Sequence, residues 1–226
     1  MEVNEVAEEL DITVVYDNEP YDDAYETGFG FAALLEVTGQ GGVTRILFDT
    51  GGGYGKLSRN LEKAGIRTEE IDILVISHKH FDHTGGMKGV RRDHPGIRLH
   101  MPERGGKPQR LSYGVYTTGV LGGGIPEQAL VIATSKGHVV LTGCAHPGIV
   151  RIVETAQKLY GGDIHLVMGG FHHPPPSAAT RLHELGVRCA GPSHCTGDKA
   201  ISAFEKVFGD GFVRSGAGRH IHIGPE

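Results

Sequence analysis

Short apolar runs separated by turn residues recur along the chain and predict an alternation of strands and helices. Runs with strand-like patterning predict strands over residues 11–17, 30–37, 43–49, 71–77, 97–101, 129–134, 138–142, 164–168, 187–190, 212–214 and 220–223. Apolar positions at helical spacing predict helices over residues 54–65, 148–160, 178–185 and 198–208. Mixed elements on this scale predict an α/β fold in which helices cover sheets.

Composition and charge narrow the function classes. The length of 226 residues fits one compact domain, which we predict over residues 1–226. The 22 Lys and Arg residues against 27 Asp and Glu residues give a net charge of −5 without a dense basic cluster, so we expect no nucleic-acid partner. The apolar runs are too short for a membrane span, and the acidic start of the chain lacks the apolar stretch of a signal peptide. Three cysteines, an odd number, argue against a disulfide framework and favour a cytoplasmic location.

Polar side chains fall at the ends of five predicted strands. Asp49 closes one strand, a histidine cluster begins at His78 after the next, and His146, His172 and His194 follow three later strands. Rigid scaffolds place reactive groups in such loops, and a buried imidazole without a partner costs roughly 1–3 kcal/mol. Metal coordination would satisfy many imidazoles at once, so the pattern predicts a metal centre.

The densest signal is the segment "SHKHFDHTGG", which has the form H-x-H-x-D-H after an apolar strand. In an extended chain His78 and His80 project to the same side, and Asp82 and His83 can reach back toward the same point. Zinc accepts neutral imidazole and carboxylate oxygen, and a bound divalent ion lowers the pKa of coordinated water to near neutrality. The alternative is a set of surface or capping residues at a helix start, which the density of donors disfavours.

The motifs "FDTGG", "SHKHFDHTGGM", "GCAHPGIV" and "PSHCTG", in this order, resemble those of the metallo-β-lactamase superfamily. That resemblance implies a four-layer αβ/βα sandwich with a metal site along one edge of two sheets. The segments "VVYDNEP", "TTGVLGGGIPEQAL", "VVLTGCAHPGIV" and "MGGFHH" resemble more narrowly the branch typified by 7,8-dihydropterin-6-methyl-4-(β-D-ribofuranosyl)aminobenzene-5'-phosphate synthase. The similarity runs over nearly the whole chain.

The resemblance also implies roles for individual residues around two divalent ions. The ligands of the first ion would be His78, His80 and His146, and those of the second would be Asp82, His83 and His194. Asp49 would not bind an ion itself, and its carboxylate would orient the residues that do. Zinc is the expected metal, and manganese or iron suits the same donors.

The sequence also allows other interpretations of several of these residues. His146 could be a polar residue in a strand-to-helix turn, and His194 could stand at a helix start. Cys195 could replace His194 as a ligand because thiolate binds zinc well. Cys144 and Cys189 are expected to be small buried residues.

One departure from the superfamily pattern concerns His172. The strand that usually ends in a metal-bridging aspartate ends here in "GGFHH", without an acidic residue. If His172 takes that position, Asp82 remains the only anionic ligand, and the more cationic centre would favour an anionic small-molecule substrate. Alternatively His172 contacts substrate or donates a proton, and the site holds one ion only. Asp82 and His172 are therefore the candidate catalytic residues.

The expected function is that of a metal-dependent enzyme acting on a phosphate- or diphosphate-bearing small molecule. The superfamily resemblance implies a hydrolase, and the narrower one implies a transferase that joins a dihydropterin methyl group to an aminobenzene derivative. Two alternatives stay open: a module that binds metal or ligand without turnover, and a di-iron redox protein of the same fold.

Overall fold

The computed structural model describes residue 3 and residues 5–225, which form twelve strands and six α-helices. The first half contains β1 (Glu9–Tyr16), β2 (Ala32–Gly39), β3 (Gly42–Phe48), α1 (Tyr54–Lys63), β4 (Ile73–Val75), α2 (Phe81–Thr84), α3 (Met87–Asp93), β5 (Arg98–His100), β6 (Gln109–Ser112) and β7 (Val115–Thr117). The second half contains β8 (Leu130–Thr134), β9 (Gly137–Thr142), α4 (Ile149–Tyr160), β10 (Ile164–Gly170), α5 (Ser177–Glu184), β11 (Cys189–Ser193), α6 (Asp198–Phe208) and β12 (His220–Ile223). Short 3-10 helices occur at Thr68–Glu70 and Gly209–Gly211.

The strands form two six-stranded sheets with the orders β12-β1-β2-β3-β4-β5 and β11-β10-β9-β8-β7-β6. Each sheet is antiparallel on one side and parallel on the other: β3, β4 and β5 are parallel in the first, and β9, β10 and β11 in the second. Parallel neighbours need crossover connections, which α1, α3, α4 and α5 supply. The two halves of the chain therefore repeat one strand-and-helix plan.

The core consists of three apolar clusters that define four layers. The central cluster joins the inner faces of both sheets, with Leu35 and Phe48 from the first and Ile132 and Leu141 from the second, all 0% exposed. A second cluster packs α4, α5 and α6 on the outside of one sheet, and a third packs α1 and α3 on the other. Alternate residues of β2 enter different clusters, as a period of two requires, with Leu34 facing the helices. The fold is the predicted αβ/βα sandwich.

Some predicted elements differ from the structure. The short helices α2 and α3, the edge strand β6 and its neighbour β7 were not predicted, because each spans only three to seven residues, too few for an apolar period to show. The strand predicted over residues 212–214 is wrong: Phe212 makes one isolated bridge to Ala190, and Val213 donates one hydrogen bond to it. The bridge is parallel but involves a single pair of residues, so the segment does not form a strand.

Two sequence-based expectations bear on the chain as a whole. The single domain over residues 1–226 stays a prediction, and Met1, Glu2, Asn4 and Glu226 lie outside the described residues, as does part of the acidic start. Among the described helices, none has the length and apolar character that crossing a membrane requires.

Candidate metal centre

The candidate site lies where the parallel strands of both sheets end. Asp49 follows β3, Ser77 and His78 follow β4, His146 follows β9, and His194 follows β11. The carboxyl ends of parallel strands share one edge of a sheet, and the sandwich brings the two edges together. Residues distant along the chain therefore meet at one rim.

The backbone at this rim is held in an unusual conformation. Non-glycine residues with positive φ occur in the described chain only at the ends of strands around the site: Asp49 at 61°, Ala145 at 57°, His172 at 50°, His173 at 47° and His194 at 50°. Such conformations cost of order 1–3 kcal/mol each and cluster at functional sites, where the surrounding structure holds them. The concentration of these conformations around the histidine cluster supports the choice of this rim as the candidate site.

Three imidazoles form the first half of the cluster. His78 Nε2 lies 3.1 Å from His80 Nδ1, and the ring centroid of His146 lies 4.5 Å from that of His78 and 4.9 Å from that of His80. His78 is fully buried, and this burial, with His83 and His146 nearby, lowers its pKa to about 2. The His78 ring is therefore neutral, which is the form that binds a metal.

Asp82, His83 and His194 form the second half. Asp82 Oδ2 lies 3.5 Å from His83 Nε2 and 3.2 Å from His194 Nε2. Burial raises the pKa of Asp82, but its contacts with the two imidazoles outweigh burial and hold this pKa below its usual range. The His194 side chain is 1% exposed, and its Nε2 makes no hydrogen bond of acceptable geometry, even to Asp82. A buried polar atom without a partner needs an explanation, and a bound cation supplies one.

Hydrogen-bond acceptors orient the imidazole rings from the side that faces away from the cluster. His83 Nδ1 donates to Asp49 Oδ2 at 2.7 Å, and His194 Nδ1 lies 3.1 Å from Asn18 Oδ1. Asp49 also accepts hydrogen bonds from Ser77, from the backbone N–H at 2.7 Å and from Oγ at 2.6 Å. His78 Nδ1 in turn lies 2.9 Å from Ser77 Oγ. These contacts favour a proton on the nitrogen facing away from the cluster, so the nitrogen facing the cluster is the one that would bind a metal ion.

Glu127 is a site residue that sequence reasoning missed. Its buried carboxylate accepts from His146 Nδ1 at 2.7 Å and from the backbone N–H groups of Cys144, Ala145 and His146 at 2.9, 2.8 and 2.8 Å. Glu127 lies at the end of the glycine-rich stretch "GVLGGGIPE", closed by an antiparallel bridge between Leu121 and Glu127. Since 19 positions separate Glu127 from His146, no local pattern signals this contact.

The sulfur of Cys144 also lies among the donors. The side chain is buried, as expected, but its Sγ is 3.2 Å from His83 Nε2 and 3.2 Å from Cys195 Sγ. The structure brings His194 and Cys195 to the same rim, whereas Cys189 lies on β11. The chain thus offers more metal donors than the six predicted ligands.

His172 occupies the outer edge of the cluster. Its side chain is exposed, its ring centroid lies 4.4 Å from that of His146, and its backbone N–H donates to Cys195 Sγ at 3.3 Å. It therefore neighbours the buried donors from the solvent side. Its role as ligand, substrate contact or proton donor stays a prediction.

The donor set fits divalent metal. Three groups of donor atoms lie within 4.8 Å of one another: Asp82, His83, Cys144 and His194; His78, Cys144 and His146; and Cys144, His172 and Cys195. Within the first group, separations of 3.2 to 3.5 Å between ligand atoms are close to the roughly 3.3–3.6 Å expected between ligands on one tetrahedral zinc ion. Five of the six predicted ligands, His78, Asp82, His83, His146 and His194, occur in these groups. His80 occurs in none of them, although its Nδ1 lies 3.1 Å from His78 Nε2.

A cavity of about 390 Å³ opens beside the cluster. Its walls include His146, His172, His173 and Arg181, with apolar surface from residues such as Phe171, and no Asp or Glu occurs among the described lining residues. Volumes of this size suit small-molecule ligands.

Comparison with known proteins relates the chain to one family. The sequence profile of the metallo-beta-lactamase superfamily matches residues 27–185. The chain is 29% identical to a 7,8-dihydropterin-6-methyl-4-(beta-D-ribofuranosyl)-aminobenzene-5'-phosphate synthase of Methanocaldococcus jannaschii, over 92% of this chain and 95% of that protein. It is 25% identical to an uncharacterized protein of the same organism, over 94% of this chain and 100% of that one.

Solved structures share the fold. A metal-dependent hydrolase of the beta-lactamase superfamily matches with a TM-score of 0.77 and 24% identity, over 96% of this chain and 100% of that one. A diphosphatase from the PhnP family matches with a TM-score of 0.59 and 14% identity, over 95% and 97% of the two chains.

Proposed function

The chain belongs to the metallo-beta-lactamase superfamily, and from that premise we propose that it is a metal-dependent enzyme acting on a diphosphate-bearing small molecule. The proposed reaction transfers a dihydropterin methyl group from its diphosphate to the amine of a ribofuranosyl aminobenzene phosphate. The relative from Methanocaldococcus jannaschii that is named as a dihydropterin synthase of this kind supports this choice over simple hydrolysis.

One observation carries the proposal: a cluster of metal donors opens onto a cavity whose described lining contains no acidic residue. His146, His172, His173 and Arg181 line this cavity, and His146 and His172 also belong to the donor groups. Arg181 pairs with Glu154 at 3.1 Å and Glu184 at 3.4 Å, so its charge is partly neutralised. The imidazoles and the bound metal would therefore contribute most of the attraction for an anion.

The apolar residues of the cavity lining suit a flat organic ring. Ile149, Val150, Phe171, Pro174 and Pro175 supply apolar surface. A planar heterocycle could bury its faces there while its diphosphate reaches the metal centre. A ligand with an apolar body and an anionic end matches this division of the cavity better than a free phosphate ion does.

The chain's own residues would divide the work of the reaction. We propose that His78 and His146, with the neighbouring His80, would hold one ion, and that Asp82, His83 and His194 would hold the other. Divalent ions, when bound, stabilise negative charge on phosphate oxygens. In the transfer, the bond between the methylene carbon and the diphosphate oxygen breaks, a carbon–nitrogen bond forms to the arylamine, the diphosphate leaves, and the amine loses a proton.

We propose that His172 and Asp82 assist proton transfer and hydrogen bonding in this reaction. His172 is exposed at the cavity wall beside His146, where an imidazole could accept the amine proton. Asp82 is 9% exposed and, besides holding its ion, could accept a hydrogen bond from the incoming amine.

The test uses the metal-loaded full chain with a dihydropterin methyl diphosphate, with and without the arylamine acceptor, and measures diphosphate release and the coupled product. Release that depends on the acceptor supports transfer. Release at an equal rate without acceptor contradicts transfer and indicates hydrolysis. Retained metal without turnover of this compound, of phosphomonoesters or of phosphodiesters contradicts the enzymatic proposal and favours a binding module.

A further inference from the structure

The metal donors implied by the motif leave an imbalance of charge. Among His78, His80, His146, Asp82, His83 and His194, only the carboxylate is anionic. Two divalent ions would bring four positive charges into a largely buried space, where uncompensated charge is costly. Asp49 and Glu127 face the far nitrogens of the rings, on the side away from the cluster. A further anionic donor on the near side would lower that cost.

Cys144 has the position that such a donor requires. Its Sγ belongs to the donor group formed with Asp82, His83 and His194 and also to the group formed with His78 and His146. It is the residue that occurs in all three donor groups found in the described chain. The side chain is 3% exposed, so solvent does not compete strongly for it.

The backbone around Cys144 holds its sulfur in place. Glu127 accepts hydrogen bonds from the N–H groups of Cys144 and Ala145, which fixes the turn that aims the thiol inward. The neighbouring strand β10 ends at Gly170, and a Cβ added there would lie 2.8 Å from Cys195 Sγ and 2.3 Å from Gly143 O. No side chain could stand at that strand end, and the two thiols lie in the adjacent space.

We propose that Cys144 is a thiolate ligand shared by the two metal positions, and that it supplies the second anionic donor of the centre. The inference rests on the metal-dependent function proposed above. Thiolate is a strong ligand for zinc, and Cys144 Sγ lies within 4.8 Å of ligand atoms from both halves of the cluster, where two ions could share it. Cys195, found in one donor group only, would then be a neighbour of the ligand and not a ligand itself.

Cobalt substitution tests the assignment. Cobalt(II)-loaded full-length protein should show a near-ultraviolet thiolate-to-cobalt charge-transfer band. Cys144→Ser should lose this band and bind less cobalt, whereas Cys195→Ser should retain it. Cys189→Ser is the matched control, because Cys189 lies outside every donor group of the described chain. Urea unfolding of each metal-free variant separates loss of a ligand from loss of the fold.

Each outcome decides between the two proposals. A band that persists in Cys144→Ser and disappears in Cys195→Ser overturns the inference and assigns the ligand to Cys195. Bound cobalt without a thiolate band overturns the inference but leaves the metal-dependent function standing. Absence of cobalt binding overturns both.

A second measurement covers the case in which Cys144→Ser does not fold. X-ray absorption of the zinc-loaded Cys189→Ser/Cys195→Ser variant, which keeps Cys144 alone, should show a sulfur neighbour at about 2.3 Å. Scattering from nitrogen and oxygen only would overturn the inference.

Discussion

Glu127→Gln tests the residue that holds His146 and its turn. The carboxylate accepts four hydrogen bonds: Oε1 from the N–H groups of Cys144 and Ala145, and Oε2 from the N–H and Nδ1 of His146. An amide keeps the shape but has one acceptor oxygen, so two of these four bonds are lost. Hydrogen bonds to a charged group contribute about 1.5–3 kcal/mol each, so the free energy of unfolding should fall by roughly 3–6 kcal/mol.

The same substitution should weaken metal binding. If the amide nitrogen faces His146 Nδ1, the ring must shift its proton to Nε2 to avoid opposing two donors, and Nε2 can then no longer bind metal. Loss of such an orienting group costs about 10- to 100-fold in metal affinity. Competition against a chelator measures the affinity, and urea unfolding of the metal-free protein measures the stability.

Acid provides an independent check on the same carboxylate. Burial raises the Glu127 pKa, but the His146 ring and backbone contacts outweigh burial and lower it from 4.5 to about 2. A depressed pKa stabilises the folded state above pH 4.5, and that contribution is lost as pH falls toward 2. The stability gap between wild type and Glu127→Gln should therefore narrow as pH falls through this window.

The control is Glu205→Gln, which changes an exposed residue of α6. Its metal affinity and its free energy of unfolding should both stay within error of wild type. Wild-type metal affinity together with a wild-type urea midpoint in Glu127→Gln would refute the role given to this carboxylate.

Further predictions concern the His83 ring, the close packing at Gly143 and the core between the two sheets. Burial lowers the pKa of His83, but its contacts with Asp49 and Asp82 outweigh burial and raise it to about 10. The free energy of unfolding of the metal-free protein should therefore fall as pH rises from about 6.5 to 10, and this fall should be absent in His83→Gln. The same pH dependence in wild type and His83→Gln, measured by urea unfolding, would contradict this prediction. Gly143→Ala should lower metal content, measured by elemental analysis, because a Cβ there would lie 2.0 Å from Ser77 Oγ; full occupancy would contradict this. Ile132→Ala removes a fully buried side chain between the sheets and should lower the free energy of unfolding by about 2–5 kcal/mol in urea titrations, with metal stoichiometry unchanged.

Elements with a strong local period were predicted closely. The helix predicted over residues 198–208 is Asp198–Phe208, and the one predicted over residues 148–160 is Ile149–Tyr160. Apolar residues at helical spacing are themselves the cause of such helices, because one face must pack on a sheet. In contrast, α2 and β7 span 4 and 3 residues, too short for a period to show, and they form because tertiary contacts hold them.

The candidate site also has a part that was evident from the local sequence and a part that was not. The four donors His78, His80, Asp82 and His83 lie within six positions, so their convergence is a local property that the sequence displays directly. The predicted roles of His146 and His194 depended on resemblance, and the structure places both beside that cluster.

By itself the sequence determined the alternation of strands and helices, the layered α/β architecture and the identity of the densest donor segment, because each follows from patterns a few residues long. Only the tertiary structure decided the partners of those donors. Glu127 reaches His146 across 19 positions, Cys144 reaches His83 across 61, and His194 reaches Asn18 across 176. Such contacts exist because two sheets pack face to face and bring their strand ends to one rim, and no short stretch of sequence carries that geometry.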